Sequence, residues 1–374
     1  LDTGDTSFML VATALVMIMT PGLAFFYGGL VSRKNVLAIM MQSYVSMGVS
    51  TILWVAVGYS LCFSGDVGGM GIIGNLDMAF LRGIEVTDLG GLNDTIPLLL
   101  FVVYQMMFAI ITPALITGAF ANRITFKAYL IFLVAWQILV YYPFVHMIWG
   151  GGMLADWGVL DFAGGIVVHA LAGMAALASV IYVGKRRVED AGAHNVPFVA
   201  IGAALLWFGW FGFNAGSELA VDGVTAVAFI NTQIAAAFAA ITWLLLAWHY
   251  DGKPSFVEML IGMIAGLATI TPAAGFVSPQ SAMLIGVAAG AACYFAVVFR
   301  KKKGLDDALD VWGVHGVGGA LGIIMLGVLA SESIGGQNGL YHGNQDFFMV
   351  QLAGLALACV WAFAFTYGML MMID

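Results

Sequence analysis

Gly165-Ile-Val-Val-His169-Ala-Leu-Ala-Gly173 and Val311-Trp-Gly-Val-His315-Gly-Val-Gly-Gly319 decide how this chain folds. Each is an apolar run with one imidazole at its centre and small residues behind it. An aspartate precedes each histidine at close range, Asp161 in the first case and Asp310 in the second. An ionisable group inside an apolar span is costly, so its presence marks function. Two in matched settings mark it more strongly than one.

The rest of the chain makes both runs membrane spans. Of 374 residues, 62% are hydrophobic and 9% charged, and mean hydropathy is +0.99. A soluble surface needs more polar area than that composition supplies. Apolar runs of about 20 residues, each able to cross roughly 30 Å of hydrocarbon, recur from end to end, and the short alternating segments of a β-barrel are missing. The expected class is an all-α polytopic membrane protein. Its eleven transmembrane helices are predicted near 7–31, 41–63, 95–120, 126–145, 164–184, 197–215, 224–249, 255–272, 280–299, 312–330 and 347–373. Cys62, Cys293 and Cys359 fall inside apolar segments and read as packing residues, with neither a disulfide framework nor a zinc spacing. Ser7 to Ser32 is too long and too near the start to read as an unprocessed signal peptide.

Lysine and arginine set the orientation. Arg33, Lys34, Arg123, Lys127, Lys185 to Arg187, Lys253 and Arg300 to Lys303 all fall in alternate loops, twelve of the thirteen cations. The intervening loops carry Asp66, Asp77, Glu85, Asp88, Asp94, Asp156, Asp222, Glu332 and Asp346, with Arg82 as their one cation. The N-terminus is therefore expected outside and the C-terminus inside. The net charge of −8 averages two aqueous faces and decides nothing further.

Eleven spans divide into two five-helix units plus one C-terminal helix. Spans five and ten share the aspartate, histidine and small-residue order. Span one ends Phe25-Phe26-Tyr27-Gly-Gly, and span six ends Phe211-Gly-Phe213-Asn214-Ala-Gly. Five is odd, so the second unit enters from the opposite side. That is an inverted repeat, which places a substrate path near the midplane. Residues 1–374 are thus read as one membrane domain, with repeats at about 7–184 and 197–330 and the extra helix at 347–373. The 48 glycines gather near the suspected path, as Gly150 to Gly152, Gly164-Gly165 and Gly313 to Gly322. Close helix packing explains most of them.

Interfacial aromatics usually anchor a helix in the headgroup region. In Leu206-Trp-Phe-Gly-Trp210-Phe-Gly-Phe213-Asn214-Ala-Gly-Ser217 and Tyr141-Tyr-Pro-Phe-Val-His146-Met-Ile-Trp149-Gly-Gly-Gly, glycines and a hydroxyl interleave with the rings. That pattern suits a lined vestibule. His146, His194, His249 and His342 lie at span ends or in loops and are expected in solvated structural roles, and Glu258 reads as a cap or packing contact.

These strings resemble the ammonium transporters of the Amt/Mep/Rh family across all eleven spans. The resemblance also rests on Pro21 to Gly29, Leu160 to Gly165, Asn231-Thr-Gln, Ile270-Thr-Pro-Ala-Ala-Gly-Phe276 and Asp310-Val-Trp-Gly-Val-His315-Gly. Trp149 with Ser217 favours the Amt/Mep branch. The resemblance implies an outer recruitment site of Trp149, Ser217 and the ring of Phe108, with Tyr104 beside it. An aromatic face attracts a desolvated cation by roughly 2 kcal/mol, and a serine hydroxyl accepts one N–H bond. Asp161 is expected to hold backbone geometry near that site and bias its field. Phe108 and Phe213 correspond to stacked gate rings, with Trp210 nearby, and His169 with His315 to paired imidazoles in a hydrophobic pore. Asp310 is expected to orient the tenth helix. Glu218 departs from the small residue usual after this serine and adds a carboxylate at the mouth.

A single imidazole on an apolar helix is more often a hydrogen-bonded core residue. Two on repeat-related helices fit a neutral substrate or a proton relay, because neutral imidazole offers one donor and one acceptor. Two histidines are too few for a metal site. The resemblance implies ammonium as substrate, recruited outside, deprotonated near the gate and passed as ammonia, with methylammonium as an analogue. It also implies a homotrimer in a cell (inner or plasma) membrane bilayer and a cytoplasmic PII-type regulator. Family members usually continue past the last span into a cytoplasmic tail, whereas this sequence stops at Asp374. The alternative is therefore an ammonium sensor whose signalling module lies outside this chain. A third reading is an unrelated carrier or a channel for other neutral molecules. No nucleophile–base set or cofactor fingerprint points to an enzyme or a cofactor, and the short cationic clusters are explained by topology, not nucleic acid.

Overall fold

The computed structural model describes residues 1–91, 94–187 and 192–373. Among them, eleven helical segments are long and apolar enough to cross a membrane. They are α1 (Thr3–Leu30), α2 (Arg33–Phe63), α3 (Leu98–Ile116), α4 (Phe126–Asp156), α5 (Gly165–Val183), α6 (Val196–Glu218), α7 (Gly223–Asp251), α8 (Phe256–Ala273), α9 (Pro279–Lys302), α10 (Trp312–Leu329) and α11 (Gln345–Ile373). The chain is a multi-pass membrane protein. A bilayer offers no water to backbone groups, so helices that satisfy their own N–H and C=O groups are the expected solution. A two-residue antiparallel pair, β1 (Leu89–Gly90) with β2 (Ile96–Pro97), precedes α3.

The starts of six segments follow from local capping. Asp2, Thr125, Asn195, Asp222, Ser255 and Ser278 accept first-turn N–H groups of α1, α4, α6, α7, α8 and α9. Two segments are longer than expected. The turn Arg33–Asn35 runs straight into α2, so that helix begins before residue 41. The fourth span continues past 145 to Asp156, and its polar groups find partners inside the protein. Gln137 donates to Ser50, and the Tyr142 hydroxyl lies 3.3 Å from the Gln137 side-chain oxygen.

Small residues bring the backbones together. A Cβ on Gly202 of α6 would lie 2.2 Å from the Phe26 nitrogen of α1, and one on Gly209 would lie 2.5 Å from the Leu15 carbonyl oxygen. The α5–α10 crossing is tighter, since a Cβ on Gly173 would fall 2.0 Å from the Gly316 Cα. Reciprocally, a Cβ on Gly319 of α10 would fall 2.8 Å from the Ala170 nitrogen of α5. Any larger side chain at these places would hold the two histidine-bearing segments apart.

Both segments also widen where they cross. Gly165–Ala170 and Trp312–Gly316 are π-helical and enclose His169 and His315. Such turns are rare and recur at functional sites, because the local widening re-aims side chains.

Candidate functional site

On the acidic-loop face, the ends of α4 and α6, the middle of α3 and the chain leading into α5 surround a cavity of about 450 Å³. Its walls include Gln105, Phe108, Trp149, Asp161, Ser217 and Glu218. Asp161 builds much of this wall. One carboxylate oxygen accepts N–H groups from Gly164 and Gly165 at 2.9 and 2.6 Å, and the other from Ile166 and Val167 at 2.7 and 3.0 Å. Burial raises the Asp161 carboxyl above its usual range, and the four donors oppose that rise. Two N–H bonds per oxygen suit an ionised carboxylate held against a helix start. Gly164 permits the bend with φ +119°, and a Cβ there would meet Val168 at 2.5 Å. The Asp161 carbonyl also accepts the Trp149 indole N–H at 2.8 Å. One residue thus starts α5 and fixes the vestibule tryptophan.

Ser217 lies opposite, on the last turn of α6. Its hydroxyl donates to the Phe213 carbonyl at 2.9 Å, which leaves its lone pairs free to accept. Tyr104 is fully buried and does not line the cavity; it stands behind the wall. Its hydroxyl donates to the Gly212 carbonyl at 2.9 Å and lies 3.3 Å from the Ser217 oxygen. Its ring meets Phe108 edge-on with centroids 5.1 Å apart.

The vestibule floor is aromatic. Phe108 and Phe213 have centroids 4.4 Å apart at an interplanar angle of 36°, and Phe108 meets Trp149 edge-on at 5.8 Å. Both phenylalanines are buried. Beyond them is a much smaller cavity of about 20 Å³, bordered by Tyr27, Leu206, Trp210, Phe213 and both histidines. That is room for roughly one water-sized molecule.

His169 and His315 approach through their Nδ1 atoms, 3.2 Å apart, with rings inclined by 22°. One Nδ1 must donate and the other accept, so the two Nε2 atoms have opposite character. The His169 Nε2 is buried without a hydrogen-bond partner. Trp210 stacks on His169 at 5.5 Å, and its indole N–H donates to Thr271 at 2.9 Å. Trp210 therefore borders the imidazoles as much as the paired phenylalanines. Thr271 is a supporting residue that the sequence did not single out.

At the opposite end, the carboxylate of Asp310 pairs with Arg300, and its carbonyl accepts the Val314 N–H at 2.9 Å. The buried residue that accepts the Trp312 N–H, at 2.8 Å, is Asp307. A signal was available, because the spacing from aspartate to histidine is eight residues in both segments (161 to 169, 307 to 315). Burial, with Asp310 adding to it, pushes the Asp307 carboxyl up to about 6. Asp306 binds Arg186 at 2.7 Å and has Arg123 at 3.8 Å.

His146 is also not solvated. It is buried, with Nδ1 2.9 Å from the Cys62 carbonyl and Nε2 3.6 Å from Asp66. His194 is exposed with Nδ1 2.8 Å from the Val31 carbonyl, and His249 and His342 are exposed as well. Glu258 accepts the Trp243 indole N–H at 2.6 Å.

The sequence profile of the Ammonium Transporter Family matches residues 7–374. An ammonium transporter of Bacillus subtilis is 47% identical over 368 residues, covering 97% of this chain and 90% of that protein. The crystal structure of Saccharomyces cerevisiae Mep2 superposes with a TM-score of 0.92 at 34% identity, covering 100% of this chain and 85% of that one. A solved structure named Sensor Amt Protein gives a TM-score of 0.90 at 28% identity, covering 99% and 93%.

Proposed function

The chain belongs to the Ammonium Transporter Family, and from that premise we propose that it moves ammonium across the membrane, dehydrated and deprotonated on the way. Ammonium enters the 450 Å³ vestibule and rests between the rings of Trp149 and Phe108 and the Ser217 oxygen. Potassium has the same charge and a similar size, but it has no N–H donors and no removable proton. The site therefore discriminates by hydrogen bonding and deprotonation. The acidic-loop face is the outer one in this reading, and the two histidine segments belong to inverted halves.

One observation carries the proposal: paired rings 4.4 Å apart separate the vestibule from a chamber of about 20 Å³ flanked by two imidazoles. A hydrated ion does not fit such a chamber, and an unhydrated one would lose its solvation with only apolar walls and neutral rings in exchange. Ammonia fits by volume and finds one donor and one acceptor in the Nε2 atoms. In the proton relay the acceptor Nε2 of one imidazole takes the proton from ammonium, its Nδ1 proton crosses the Nδ1–Nδ1 bridge, and the other ring releases its Nε2 proton toward the inner face, where ammonia takes one up. The sensor reading shares the fold, but among the solved structures the identity to the Mep2 transporter is higher, 34% against 28%.

The test is electrical. Vesicles containing the native chain should give ammonium-driven current and methylammonium uptake, and absence of both would overturn transport. The double variant His169→Ala with His315→Ala should lose at least about tenfold of the current, a barrier change near 1.4 kcal/mol. Full current with potassium still excluded would remove the relay role.

A further inference from the structure

We propose that Glu218 supplies the vestibule's own counter-charge and sets its affinity for ammonium and small alkylammonium ions; the choice of ligand rests on the function proposed above. Two carboxylates line the vestibule, Asp161 and Glu218. Asp161 is committed, both oxygens being saturated by backbone N–H groups. Glu218 ends the short turn Gly216–Glu218 that carries Ser217. It is half-buried, and among the described residues its carboxylate has neither a hydrogen bond nor an ion pair. Leu219 turns the chain sharply with φ +58°, and its N–H bonds back to the Gly216 carbonyl at 3.0 Å. The glutamate is thus held at the lip by backbone geometry, not by a side-chain partner.

The neighbouring anions are already in use. Asp222 accepts the Val224 and Thr225 N–H groups at the start of α7, and Asp5 accepts that of Val221. Arg82, the one arginine or lysine of the acidic loops, bonds to its own turn at the Ala79 carbonyl and does not line the cavity. A half-buried carboxyl therefore faces a cavity whose other polar side chains are the Gln105 amide, the Ser217 hydroxyl and the saturated Asp161. A monovalent cation entering it would meet ring faces, acceptor oxygens and, wherever Glu218 is ionised, an opposite charge.

The division of labour has a specific signature. Coulomb attraction depends on charge and distance, not on N–H donors, so Glu218 should strengthen ammonium and potassium alike. Selectivity stays with Trp149, Ser217 and the gate.

The experiment titrates methylammonium into the purified native chain in detergent and into Glu218→Gln and Glu218→Asp, reading Kd calorimetrically at low and high salt, with potassium as competitor. Glu218→Gln should weaken methylammonium roughly fivefold at low ionic strength. The loss should shrink toward none at about 1 M salt, where screening acts over about 3 Å. Potassium competition should weaken by the same factor, and Glu218→Asp should bind within about twofold of the native chain. A Glu218→Gln Kd within twofold of native at low salt would overturn the proposal, as would a loss unchanged by salt or confined to methylammonium. Binding is read without conduction, so failed vesicle currents would count against transport and an unchanged Kd against this inference alone.

Discussion

In α5 and in α10 alike, a histidine sits inside a π-helical turn, eight residues after a buried aspartate and four before a glycine that touches the other segment. The surroundings differ. The aspartate of α5 gives both oxygens to four N–H groups and its carbonyl to Trp149, beside an aromatic vestibule. The aspartate of α10 accepts the Trp312 N–H beside the Arg300–Asp310 pair and leaves one buried oxygen unpartnered. The same local device therefore borders an aromatic cavity at one end and a charged pair at the other. The path is lined symmetrically at its centre and asymmetrically at its ends.

The comparison can be broken most severely at the two aspartates. Asp161→Ala strands four N–H groups and releases Trp149, so it should cost at least about 4 kcal/mol and abolish ammonium current. Asp307→Ala strands fewer donors and should cost about 1–3 kcal/mol. Thermal unfolding in detergent ranks the two, and equal losses would contradict the asymmetry. The glycine contacts come next. Gly173→Ala places a methyl on the Gly316 backbone and should cost about 3 kcal/mol or more, whereas Gly319→Ala, with its nearest contacts at 2.7–2.8 Å, should cost about 1–2 kcal/mol. The same unfolding measurement, with vesicle currents, reads both.

The smallest expected effect depends on pH. Burial raises the Asp307 carboxyl from 3.8 to about 6, so the folded chain binds that proton more tightly than the unfolded chain. Its contribution to stability is therefore present at low pH and is lost as pH rises through that interval. Asp307→Asn should remove this decline, leaving the variant's melting temperature flatter by about 2–4 °C between those limits. A native chain with no slope there would show that folding does not raise the Asp307 carboxyl.

Much of this was legible in the sequence, for identifiable reasons. Eleven spans follow from apolar length, and their loops from where lysine and arginine fall. His169 and His315 declared themselves as ionisable groups in apolar runs, while Phe108 and Phe213 needed the family resemblance to stand out from ordinary packing. Tertiary geometry was not legible. The π-helical turns around His169 and His315 have no local residue pattern that requires them. His146 was misplaced because a residue near a span end is normally wet, yet here the Cys62 carbonyl and Asp66 enclose it. Asp310 drew attention through its nearness to His315, although equal spacing pointed to Asp307.

The glycine contact between α5 and α10 limits how this protein can move. At Gly173 and Gly316 the two helices meet backbone to backbone, so they cannot separate there without opening a void at the contact itself. On the function proposed above, rotation of the Phe108 and Phe213 rings, and not separation of these helices, would be what admits the substrate.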